Sequence, residues 1–150
     1  MHPVFLFLHL AGVTLWVGGM FFAWVCLRPV VAAQLQPPAR LSLWTAVFGR
    51  FFPWVWGAVF AILSSGLATL LLLGMQHAPL YWHLMLFFGL IMCGIFVYVF
   101  MTPYQKLKAS VAVQDWPAGG SALGRIRQLI GINLILGLVT IAVASLGRLI

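Results

Sequence analysis

The chain has 150 residues, 64% of them hydrophobic and 6% charged, with 8 Lys plus Arg against 1 acidic side chain. A soluble domain carries about 25% charged residues, and the mean hydropathy here is +1.12, so a soluble globular domain is excluded. Asp115 is the one carboxylate side chain, which removes paired-carboxylate catalysis, oxygen-rich Ca²⁺ or Mg²⁺ cages and carboxylate proton relays from consideration. The net charge of +7 does not indicate nucleic-acid binding, because so apolar a chain has no water-exposed module to carry a basic patch.

A bilayer core of roughly 30 Å takes about 20 apolar residues per crossing, and four such segments follow one another. The first, 3–27, stays uncharged until Arg28-Pro29. It is too long for a signal-peptide core, and Gly12, Gly18 and Gly19 suit helix packing, so it is read as retained. Pro37-Pro38 then breaks the chain, and 40–50 reads as an interfacial helix. The second segment, 52–74, is entered through Pro53, whose missing N–H is harmless in a first helical turn. The third, 80–102, lies between Pro79 and Pro103, and the fourth covers 126–146. The short link Met75 to Pro79 predicts an antiparallel hairpin, and Gly119-Gly120-Ser121 marks the most flexible part of the loop 104–125. The expected fold class is an all-α membrane protein: a single integral membrane domain over 1–150, built as a four-transmembrane-helix up-down bundle.

Cations set the orientation. Arg28, Arg40 and Arg50 in the first loop and Lys106, Lys108, Arg125 and Arg127 in the third assign those loops to the cytoplasm. Both termini then face the outer, periplasmic side of a bacterial inner membrane. Arg148 alone departs from the pattern.

An ionisable residue inside a membrane helix is a functional candidate by default. His9 lies about six residues into the first helix and His83 about four into the third, so both sit roughly 6 to 9 Å below the same outer surface. In an up-down bundle the first and third helices face each other diagonally. Two imidazoles level with each other across a bundle suit the axial sites of haem b, which predicts His9 and His83 as metal ligands. Gly12, Trp16 and Gly19 share the His9 stripe and are expected to leave width for a macrocycle, and Asn133 supplies a polar group at depth on the fourth helix. The plainer reading leaves each histidine at the interface, bonded to a backbone carbonyl, and makes the small residues mere packing positions. Cys26 and Cys93 lack CxxC spacing and read as small buried hydrophobes.

Copper is the alternative cofactor. His2, Met75, His77, Met85, Cys93 and the two membrane histidines include the soft ligands that Cu(I) prefers. They form no MxxM or repeated Met/His cluster.

The stretch His9-Leu-Ala-Gly-Val-Thr-Leu-Trp16-Val-Gly-Gly19-Met-Phe-Phe, ending at Leu27-Arg28-Pro29, resembles the first helix of CopD-type membrane proteins. It also resembles, more remotely, that of HemJ-type protoporphyrinogen oxidases. Tyr81-Trp82-His83, Pro103-Tyr104, Arg125-Ile126-Arg127 and Asn133-Leu-Ile-Leu-Gly137 are similar to a small four-helix CopD-like group. The resemblance implies a compact four-helix unit linked to copper uptake or resistance or, in the HemJ type, to porphyrin oxidation with a bound haem. It makes His9 the counterpart of the first-helix histidine, followed by Trp16, Gly19 and Arg28. The HemJ pattern has an intramembrane Lys that no segment here provides.

Together these readings predict a membrane-embedded b-type haem-binding protein that transfers one electron between quinol and a periplasmic redox partner. A haem-dependent membrane oxidoreductase would be its enzymatic form. CopD-like copper handling is the alternative, and a purely structural subunit of a larger complex is the third reading. The lipid bilayer is the expected surrounding, and a second copy of the chain is among the candidate partners.

Overall fold

The computed structural model describes residues 2–74 and 78–147. Met75, His77, Arg148 and most of the short link between the second and third spans therefore lie outside the described residues. Helix α1 (Pro3–Phe21) begins with Pro3 in its first turn, where an N–H has no helical acceptor, and the His2 ring accepts from the Val4 N–H at 3.4 Å. It runs through a π-helical stretch, Phe22–Leu27, into α2 (Arg28–Gln34). A proline inside a helix lacks an N–H and crowds the carbonyl four residues back. The wider π turn directly before Pro29 accommodates both defects without ending the span.

The remaining helices are α3 (Pro37–Leu73), α4 (Leu80–Met101), α5 (Pro103–Ala112) and α6 (Trp116–Leu146). Pro3–Gln34, Pro37–Leu72, Leu80–Ala112 and Trp116–Leu146 are each long and apolar enough to cross a bilayer. The chain is thus a multi-pass, all-helical membrane protein.

Two boundaries differ from the sequence reading. The stretch 40–50 is not a separate interfacial helix: α3 is continuous from Pro37 through Pro53. At about 1.5 Å per residue its 37 residues reach about 55 Å, well beyond the hydrocarbon core. Gly49, four residues before Pro53, has no side chain to add to the crowding at that turn. The loop 104–125 is also largely helical. It contains all of α5 except its first residue, and the start of α6. The break falls at Val113, Gln114 and Asp115, where Gln114 adopts φ 58° and Asp115 caps α6 by accepting from the Ala118 N–H at 3.0 Å. Gly119-Gly120-Ser121 is therefore helical. A Cβ at Gly119 would lie 3.2 Å from Leu41 Cδ1, so the glycine lets α6 close on α3.

Packing pairs α1 with α3 and α4 with α6, and α6 also touches α1 and α3. Helices α1 and α4 are consequently diagonal, as an up-down bundle requires. Backbones of α3 and α4 approach little. Large rings fill the distance instead: Phe52 and Trp56 of α3 meet Phe96 and Phe100 of α4, with centroids 5.0 to 6.0 Å apart. Outward-facing Phe7, Phe60, Leu72 and Leu80 are exposed and meet lipid in a bilayer.

Candidate functional site

Two buried polar side chains lie toward one end of α3. Ser65 and Thr69 are buried in an otherwise apolar run, and both satisfy themselves on their own helix. Thr69 Oγ1 donates to the Ser65 carbonyl at 2.8 Å, and Ser65 Oγ donates to the carbonyls of Ala61 and Ile62. His9 reaches this notch from α1, with Nδ1 3.1 Å from Ser65 Oγ. The ring passes beside Gly66, where a Cβ would stand in ordinary contact, 3.6 Å from His9 Cε1. Because the Ser65 proton is directed to a carbonyl, its oxygen accepts from His9, which assigns the proton to Nδ1 and leaves the Nε2 lone pair open. A ligating histidine is oriented by such a hydrogen bond through its other nitrogen.

His83 is half-buried in the first turn of α4, with Nδ1 3.4 Å from the Pro79 carbonyl. A carbonyl can only accept, so Nδ1 is the donor in this contact, in which Nε2 takes no part. The two histidines lie toward the same end of the bundle, but His9 bonds to α3 and His83 to the residue that caps its own helix.

The residues expected to flank a macrocycle are placed otherwise. Gly12 faces α3: a Cβ there would meet Ile62 Cγ1 at 2.9 Å and the Ala58 carbonyl at 3.0 Å. Gly19 faces the Phe51 ring. Both glycines bring α1 onto α3 and open no slot. Trp16 is 4% exposed and stands edge-on to Phe96 across the α1 to α4 diagonal, centroids 6.0 Å apart. Asn133 Nδ2 donates to the Met92 carbonyl at 3.4 Å, while its Oδ1 is buried with no hydrogen-bond partner among the described residues. The cavity bordered by Trp16, Met20, Phe96 and Asn133 measures about 20 Å³. That is room for one water-sized molecule, whereas organic cofactors occupy pockets of about 300 Å³ or more. This cavity is too small for haem b, and neither His9 nor His83 lines it.

The thiol candidate Cys93 is half-buried against the apolar core, and Cys26 is exposed. Among the described residues no three His, Cys, Asp or Glu side chains converge on one point. Sequence reasoning missed Ser65 and Thr69. A visible signal existed: Ser64-Ser65 followed by Thr69 at i+4 puts hydroxyls on one face of a membrane helix.

Half-buried histidines in a four-span helical bundle define a membrane protein with a sparse polar site near one surface. A family model described as copper resistance protein D, CopD, matches residues 45–146. The chain belongs to the CopD family. The matched residues include Ser65, Thr69, His83 and Asn133, whereas His9, Gly12, Trp16 and Gly19 precede them. The matching family is the copper one, not the HemJ type. No curated protein and no solved structure matches.

Proposed function

We propose that the chain is a copper-handling membrane protein that takes up Cu(I) at the end of the bundle holding His9 and His83. Membership of the copper resistance protein D family is the observation that carries this reading. The hydrogen bonds support it, because each engages Nδ1 and not Nε2, and imidazole nitrogen is a competent copper ligand. With so few donors, copper is cargo exchanged between sparse ligands rather than an ion locked in a cage. The cation distribution supports placing this end at the periplasmic face of a bacterial inner membrane, with Arg28, Arg40 and Arg127 on the cytoplasmic side.

The test is metal analysis with an ultraviolet-visible spectrum on the detergent-purified, reduced protein after incubation with Cu(I). Copper should be retained without a Soret band, and His9→Ala and His83→Ala should each lower the retained copper. Copper retained at the wild-type level in both variants would overturn the assignment. A Soret band abolished by His9→Ala would return haem to the site.

A further inference from the structure

At the end of the bundle remote from His9, three guanidinium groups gather around α6. Arg28 Cζ sits 4.4 Å from the centroid of the Trp24 ring, and that ring in turn lies against Gly131 of α6. Trp24 belongs to the π-helical stretch, a local widening that often marks functional positions. Arg40 from the first turn of α3 and Arg127 from α6 line an open cleft of about 350 Å³, walled by Pro37, Leu41, Trp116 and Leu123. The charges of Arg28 and Arg40 both bear on Arg127.

Among the described residues no carboxylate pairs with these guanidinium groups. Asp115, the sole carboxylate side chain, is engaged by the Ala118 N–H. Arg40 Nε is buried without a hydrogen-bond partner among the described residues, a costly state for a charged donor. Helices α3 and α6 both begin at this cleft, and their N-terminal ends add positive potential. Orientation by the positive-inside rule does not require such an arrangement. Arg50, Lys106, Lys108 and Arg125 lie at the same end and are exposed, whereas Arg40 and Arg127 are half-buried.

We infer that this cleft is an oxyanion site that holds a phosphate group through Arg40 and Arg127, with Arg28 reinforcing the potential. The guanidinium fork matches phosphate oxygens in pairs. The group is presented either by an anionic phospholipid headgroup or by a free phosphate. The inference stands apart from the copper reading, which concerns the opposite end.

The experiment uses the full chain in neutral detergent, comparing wild type with R40Q/R127Q and with K106Q/K108Q as a same-face control. One arm measures binding of phosphatidylglycerol against phosphatidylcholine by native mass spectrometry. The other measures the shift in thermal unfolding with inorganic phosphate against chloride at equal ionic strength. Wild type and the lysine control should bind phosphate-bearing ligand alike, and R40Q/R127Q should lose at least about tenfold in affinity. Phosphatidylglycerol binding without a phosphate-induced shift identifies the lipid headgroup, and a saturable shift with inorganic phosphate identifies the free anion. No preference in either arm, or an equal loss in the lysine control, overturns the site. Should R40Q/R127Q fail to fold, R40K and R127K replace it: several-fold weaker binding supports the fork, and wild-type binding overturns it.

Discussion

Toward the Arg28 and Arg40 end, α3, α4 and α5 are joined by rings. Phe48 stacks on Phe52 with centroids 5.1 Å apart and planes 5° from parallel, and Tyr104 meets Phe52 edge-on at 4.9 Å. Toward the His9 end the same α3 carries Ser65 and Thr69, which bond chiefly to their own backbone and to one imidazole. Lipid is as apolar as a side chain, so association of membrane helices depends on shape and close contact rather than on escape from water. Interlocked rings provide that contact at one end. The other end holds its polar groups by local hydrogen bonds. Ring packing and the polar contact between Ser65 and His9 are thus separated along the bundle axis.

Substitutions at each end can break or sharpen this division. The largest effect is expected at Phe52, which is 3% exposed and touches Phe48, Phe96, Phe100 and Tyr104. Phe52→Ala should destabilise the bundle by about 3 kcal/mol, read as a lowered midpoint of thermal unfolding in detergent; an unchanged midpoint would contradict a ring-built core.

Gly12 comes next. A leucine there meets the Ala58 carbonyl as well as the Ile62 side chain, and backbone cannot yield as a side chain does. Gly12→Leu should cost about 1 to 3 kcal/mol and part α1 from α3, detectable as weaker cross-linking between cysteines introduced on the two helices.

Ser65→Ala addresses the division directly. Retained copper affinity should fall by about tenfold, because the imidazole loses the hydrogen bond that orients it, while stability changes by about 1 kcal/mol or less. A large loss of stability with copper affinity intact would show that Ser65 serves the fold. The smallest effect belongs to Thr140, whose Oγ1 donates to the Leu136 carbonyl of its own helix at 2.8 Å. Thr140→Val should shift stability by about 0.6 kcal/mol or less in the same unfolding assay and leave copper retention unchanged.

The candidate site was partly legible in the sequence. The positions of His9 near the start of α1 and His83 in the first turn of α4 follow from where the apolar segments begin, which needs no tertiary information. Their surroundings did not follow. Gly12 and Gly19 share a stripe with His9 whether that stripe meets a cofactor or another helix, and the contacts with Ile62, Ala58 and Phe51 exist only once α3 is in place. Ser65 is 56 positions from His9, and no local pattern ties the two. Arg40 and Arg127 read as ordinary orienting charges until α3 and α6 place them on one cleft.

What the amino-acid order determined by itself was the membrane class, the presence of four apolar helices and the charge asymmetry between their ends. These rest on hydrophobicity and on the need of every backbone group in lipid for an internal hydrogen bond, both properties of single segments. Tertiary structure decided that Pro29 and Pro53 are absorbed rather than obeyed, and that 40–50 and 116–125 join the spans beside them. It also decided that the histidines look toward α3 and the Pro79 carbonyl. Those outcomes depend on which surfaces meet, and close packing between helices is a property of pairs that no single segment contains.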